Sequence, residues 1–141
     1  TGKNITPKVT VKYKNITLRE GIDYKVVYKN NKKIGTAKIY VIGLNNFKDS
    51  NTYKMKIIPA KTKITKKKAT KKKITLKLKK VKGATGYQVM YSLKKNFKGK
   101  KNINTKKRTV VIKRKKSGKY YVKVRAYKKI GKKYVYGNKK Q

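Results

Sequence analysis

Apolar and polar residues alternate with period two along most of the chain, and helical spacing is almost absent. Val9 and Val11 alternate with Lys8, Thr10 and Lys12, and Tyr24, Val26 and Tyr28 alternate with Lys25, Val27 and Lys29. Ala37, Ile39 and Val41 face away from Lys38 and Tyr40, and Asn30-Asn31-Lys32-Lys33 predicts a hairpin turn before them. Tyr53, Met55 and Ile57 predict a further strand that ends before Pro59. A second series begins with Ile74, Leu76 and Leu78, breaks at Gly83-Ala84-Thr85-Gly86, and resumes with Tyr87, Val89 and Tyr91. Val110 and Ile112 predict a short strand, and Tyr120, Val122, Val124 and Ala126 the longest one. Gly131 marks a last tight turn before Tyr134 and Tyr136. Short strands at this spacing predict an all-β chain of β-sandwiches.

Residues 61–73 hold eight lysines and no acid, so they predict a boundary between two domains. The expected division is 1–60 and 61–141, with 61–73 serving as a Lys-rich linker and first, exposed edge strand. A length of 141 residues suits two small domains.

Charge then limits the chemistry. The sequence has 46 Lys or Arg against three carboxylates (Glu20, Asp23 and Asp49), for a formal charge of +43. Without His or Cys, most acid–base and nucleophilic machinery cannot be assembled, and zinc, iron–sulfur and calcium sites lack ligands. The expectation is a non-enzyme with no cofactor and no metal. Such a charge is also a mark of disordered chains. The alternation argues for order, because each strand offers one apolar face while lysines fall mainly on the other. Like-charge repulsion should make folding strengthen with added salt. No hydrophobic run approaches the roughly 18 residues of a membrane-spanning helix. The chain opens at Thr1 without a Met or visible signal peptide, as a mature fragment or a piece of something longer would.

Charge is uneven along the chain. Residues 1–60 carry 13 basic and 3 acidic groups, and residues 61–141 carry 33 basic groups and no acid. The candidate polyanion-binding groups fall in clusters: Lys66, Lys67 and Lys68; Lys71, Lys72 and Lys73; Lys94 and Lys95; Lys100 and Lys101. Further clusters are Lys113, Arg114, Lys115 and Lys116, then Lys128 and Lys129 with Lys132 and Lys133. Lys106, Lys107 and Arg108 form another run. Each is suited to phosphate or sulfate without sequence readout, and binding would depend on salt. Taken singly, each cluster reads first as a solvated surface that keeps edge strands from pairing, and only the summed charge favours polyanion contact. Tyr87, Tyr91 and Tyr120 sit on apolar faces as core residues. Tyr121, Tyr127, Tyr134 and Tyr136 are expected to face outward beside Lys and Arg, where bases or sugars could stack. Glu20 and Asp23 lie in a turn-like segment with a structural role. A Lys–Asn isopeptide bond would need a buried Lys, an Asn and a catalytic acid, and the second half has no acid.

Ile74-Thr-Leu-Lys-Leu-Lys-Lys-Val-Lys-Gly-Ala-Thr-Gly-Tyr-Gln-Val-Met-Tyr-Ser92 resembles the B and C strands of bacterial fibronectin type III modules. Ser117-Gly-Lys-Tyr120-Tyr-Val-Lys-Val-Arg-Ala126-Tyr resembles the F strand, with Tyr120 at the tyrosine-corner position. The resemblance covers about 62–141. Leu78 stands where such modules usually carry a core Trp, and Arg114 or Lys115 where they often carry a Leu, so Ile112 is expected to supply that packing. Thr1-Gly-Lys-Asn-Ile5-Thr-Pro7, Leu18-Arg-Glu-Gly-Ile-Asp-Tyr24, Tyr28-Lys-Asn-Asn31, Gly35-Thr-Ala37 and Gly43-Leu-Asn-Asn-Phe47 resemble Ig-like repeats of Gram-positive surface proteins. The resemblance implies two tandem sandwiches, Ig-like then fibronectin type III-like. It also implies an extracellular, secreted or surface-attached protein of a Firmicute-like source, a monomer with no small-molecule substrate. The leading expectation is a binding or adhesion module for teichoic acid, heparan sulfate or nucleic acid. The second is a released polypeptide acting on a host-cell receptor, as irisin-like secreted fibronectin type III hormones do. The turn Lys128–Lys133 lacks the Arg-Gly-Asp of integrin-binding modules, and a passive spacer is the third reading.

Overall fold

The computed structural model describes residues 2–141, and among them every regular element is a β-strand. The chain divides into two units, Gly2–Ile57 and Ile58–Gln141, with Thr1 outside the described residues.

In the first unit, β3 (Tyr24–Lys29), β4 (Gly35–Gly43) and β5 (Ser50–Ile57) form an antiparallel meander in that order. Register places Val26 opposite Val41 and Tyr28 opposite Ile39, so alternation delivers one apolar face. Tyr24, Ile39 and Val41 form its buried core, with Val9, Val11, Leu18 and Met55 packed against them. A two-residue hairpin, β1 (Lys12–Tyr13) with β2 (Ile16–Thr17), turns at Lys14 and Asn15, both at positive φ as a primed turn requires.

The strand expected at Val9 and Val11 differs. Those side chains reach the core, but among the described residues no strand forms there: only the Val11 carbonyl accepts a backbone bond, from the Leu18 N–H at 2.8 Å beside the β1–β2 hairpin. Tyrosine hydroxyls serve the carbonyls before it: Tyr28 donates to the Pro7 carbonyl at 2.6 Å and Tyr24 to the Val9 carbonyl at 3.3 Å. At the other end, Asn31 and Ile5 exchange two hydrogen bonds, with the Asn31 side-chain amide donating to Ile5 at 3.1 Å.

The second unit holds two sheets. β6 (Ile64–Ala69), β7 (Lys73–Leu78) and β10 (Thr109–Lys113) form one, in the order β6-β7-β10. β8 (Gly86–Ser92), β9 (Lys101–Thr105), β11 (Tyr121–Ile130) and β12 (Lys133–Tyr136) form the other, in the order β9-β8-β11-β12. Leu76, Leu78, Val110 and Ile112 from the first sheet pack in one cluster with Tyr87, Val89, Val124 and Ala126 from the second. This is a β-sandwich core, and Ile112 and Leu78 lie fully inside it. The Tyr87 hydroxyl, buried at its edge, accepts the Val81 N–H at 3.0 Å.

β9 has no counterpart in the apolar pattern. Its sequence, Lys-Asn-Ile-Asn-Thr, is that of an edge strand whose Ile103 alone packs on the core, opposite Val89. Residues 61–73 contain the first, edge strand of the second unit. Pro59 and Thr62 are buried, Thr62 Oγ1 donates to the Lys79 carbonyl at 2.7 Å, and β6 occupies 64–69.

Candidate functional site

Register on the three-stranded sheet decides which lysines share a surface. Lys66 lies opposite Lys77, Lys68 opposite Thr75, and Lys73 opposite Lys113. Residues opposed in an antiparallel ladder point to the same side, so Lys66, Lys68, Lys73, Lys77 and Lys113 share the outer face. A bulge at Thr65 makes this possible. Ile64 pairs with inward Leu78, and the extra residue shifts Lys66 and Lys68 outward. Without it, the same lysines would point toward Leu76. Thr65 Oγ1 secures the bulge by donating to the Lys77 carbonyl at 3.0 Å. Neighbouring ammonium stems are then spaced by roughly 4.8 Å across strands and about 6.6 Å along them.

The other expected groups distribute around this face. Lys67 falls on the opposite side of β6, at its exposed edge, opposite Leu76. Lys71 and Lys72 occupy the β6–β7 turn, and Lys115 and Lys116 the loop after β10. Arg114 differs from all of these. Its guanidinium donates to the Thr70 carbonyl at 2.9 Å and the Gly118 carbonyl at 3.0 Å, and it lies 5.4 Å from the Tyr120 ring. It is a clamp between turn and loop and is not free for a polyanion. Tyr120 completes the clamp by donating its hydroxyl to the Lys116 carbonyl at 3.1 Å. Lys128, Lys129, Lys132 and Lys133 belong to the β11–β12 hairpin, on the other sheet. The eighteen groups therefore form no single patch.

The outer face of the four-stranded sheet combines bases with rings. The Arg125 guanidinium lies 3.7 Å from the Tyr136 ring centroid and Nε donates to Gln88 Oε1 at 2.8 Å. Tyr134 and Tyr136 stack at 6.0 Å with 15° between their planes. Tyr127, expected to face solvent, is instead only 6% exposed, because its edge closes against both of those rings and its hydroxyl end covers Gly86. Burial, then the Tyr134 and Tyr136 hydroxyls, raise its pKa above the ordinary 10.0. Lys123 places its ammonium 4.2 Å from the Phe97 ring. Lys139 has a lowered pKa, first from desolvation and then from Arg125, Lys100 and Lys123. Lys77, Lys123, Arg125 and Lys139 escaped the sequence reading, which counted runs of adjacent bases and not strand neighbours.

Tyr87 is core as expected, whereas Tyr91 and Tyr120 are half-buried and meet at 6.3 Å. They help form a cavity of about 630 Å³ bordered by β8, β9 and β10. Its floor includes Tyr91, Leu93, Ile103, Val111 and Tyr120, and its rim Lys94, Lys98, Lys101, Lys113, Lys115 and Lys116. Lys95 and Lys100 flank the loop and strand that build that rim.

In the first unit the Asp23 carboxylate serves a turn. Asp23 accepts the Arg19 N–H at 2.8 Å, with the Arg19 side chain 3.9 Å away, and the Glu20 backbone forms an isolated β-bridge with Tyr24. Among the described residues no three His, Cys, Asp or Glu gather as metal ligands, and no helix is long and apolar enough to cross a membrane. No family model matches the sequence, and no curated protein or solved structure matches it either.

Proposed function

We propose that this chain is a non-enzymatic, extracellular binding module whose second unit holds polyanions through the outer face of β6, β7 and β10. The observation that carries the reading is the in-register set Lys66, Lys68, Lys73, Lys77 and Lys113, in a unit with 33 basic groups and no acid. A flat array of flexible ammonium groups suits repeating phosphates or sulfates, contacted as charges and without sequence readout. The fibronectin type III character of this unit is part of the proposal. It is supported by the three-strand and four-strand sheets and by the Tyr120 hydroxyl bonded back to Lys116. The Ig-like character of the first unit rests on the sequence resemblance.

Affinity for heparin, teichoic acid and single-stranded nucleic acid, measured across a salt series, tests the reading. Binding should fall linearly with salt on logarithmic axes. Salt-insensitive binding, or none at low salt, would leave the spacer reading in its place.

A further inference from the structure

We infer that the groove bordered by β8, β9 and β10 binds a single-chain anionic amphiphile, an alkyl chain with one carboxylate or sulfate head. This goes beyond polyanion contact, since it requires an apolar body that a polysaccharide or teichoic acid backbone lacks.

Two features of the groove carry the inference. Its floor keeps large apolar side chains in water: Leu93 is 42% and Val111 46% exposed, beside the Tyr91–Tyr120 ring pair. Two exposed aliphatic side chains beside a ring pair, within one groove, give an alkyl chain an apolar surface to lie on. The rim is six lysines, in a unit without one carboxylate to neutralise them. Charge complementarity therefore requires that the same occupant carry an anion. Lysine stems add apolar wall while their ammonium ends reach the head group. A volume near 630 Å³ is in the ordinary range for small-ligand sites.

The walls are also held in place before any ligand arrives. Ser92 donates its hydroxyl to the Lys98 carbonyl at 2.9 Å and accepts the Lys94 N–H at 3.1 Å, fixing the loop that presents Leu93. Opposite, the Arg114 and Tyr120 bonds hold the loop bearing Lys115 and Lys116. A preformed cleft spares a ligand the ordering cost of binding.

The test is titration of the full chain with octanoate, decanoate and laurate below their micellar concentrations, with acetate and neutral dodecyl maltoside as controls. The expected result is one laurate per chain, with affinity rising about fourfold per added methylene and both controls far weaker. NMR shifts should centre on Leu93, Ile103, Val111 and Tyr120. Leu93→Lys and Val111→Lys are at exposed positions and add positive charge. Each should weaken laurate at least tenfold while heparin affinity holds or rises, with the thermal melt confirming that each variant folds. Laurate binding no tighter than acetate, no dependence on chain length, equal binding of the maltoside, or variants with unchanged laurate affinity would each overturn the inference. Heparin binding is read separately, so failure here leaves the polyanion proposal standing or falling on its own data.

Discussion

Lys73 and Lys113 stand directly opposite one another on neighbouring antiparallel strands, two like charges on the shared outer face of β7 and β10. Opposed like charges in a ladder are destabilising, and a fold selected for stability alone would place an acid at one of them. This pair separates stability from binding. Lys113→Glu should raise stability by a few tenths of a kcal/mol, a small gain because both side chains are solvated. The same variant should weaken heparin binding. Denaturant midpoints and affinities measured on one preparation check both directions.

Repulsion spread over the whole second unit gives a larger, collective effect. Adding salt shortens the reach of each charge to about 8 Å near physiological ionic strength. Relief on the order of 1 kcal/mol would raise the melting temperature of a unit this size by about 4–8 °C. Calorimetry from low to moderate sodium chloride should show that rise, and a fall would contradict the account.

Removing one oxygen isolates the clamp at Tyr120. Tyr120→Phe keeps the ring against Tyr91 and Arg114 but deletes the hydrogen bond to the Lys116 carbonyl. The expected loss is about 0.5–1.5 kcal/mol by chemical denaturation, with the sandwich intact by circular dichroism.

Gly86 opens β8 between the Thr105 backbone and the Tyr127 ring. A Cβ there would lie 2.5 Å from the Thr105 carbonyl oxygen and 2.6 Å from the Tyr127 hydroxyl. Gly86→Ala should therefore cost about 1–3 kcal/mol, because backbone on one side and a buried ring on the other must both move. A melting temperature equal to that of the parent would contradict this packing.

Alkaline titration reads Tyr127. Burial raises its pKa, so the folded protein keeps that proton while unfolded chains lose it near 10.0. Above that pH the folded state binds more protons than the unfolded state, and this group's contribution to stability is lost as pH rises. Ultraviolet titration of the folded protein should show a late tyrosinate component that Tyr127→Phe removes.

The inward strands were legible because their core residues alternate: Leu76 with Leu78, Val89 between Tyr87 and Tyr91, Val110 with Ile112, Val124 with Ala126. β9 was not, since two asparagines flank the one residue that reaches the core. The segment through Val9 and Val11 alternates like a strand, yet its Pro7 and Val9 carbonyls are met by tyrosine hydroxyls from residues 21 and 15 positions away. The site was legible as a quantity of charge and not as a place. Adjacency in sequence grouped Lys66, Lys67 and Lys68, while the Thr65 bulge and strand alternation divide them between two faces. Arg114 looked like one more basic residue because its Thr70 partner lies 44 positions away. Register, which sequence patterns do not fix between distant strands, supplied Lys77 and the Lys73–Lys113 pairing.

We propose that one face of the second unit, and not charge alone, holds the polyanion. The most direct test compares two variants that remove equal charge. One changes Lys66, Lys68, Lys73 and Lys113 to Gln; the other changes Lys12, Lys38, Lys54 and Lys56, all exposed on the first unit. With heparin across a salt series, the first variant should flatten the logarithmic salt slope by roughly three to four. The second should leave that slope nearly unchanged. Equal losses in the two variants, or no binding by the parent at low salt, would contradict it.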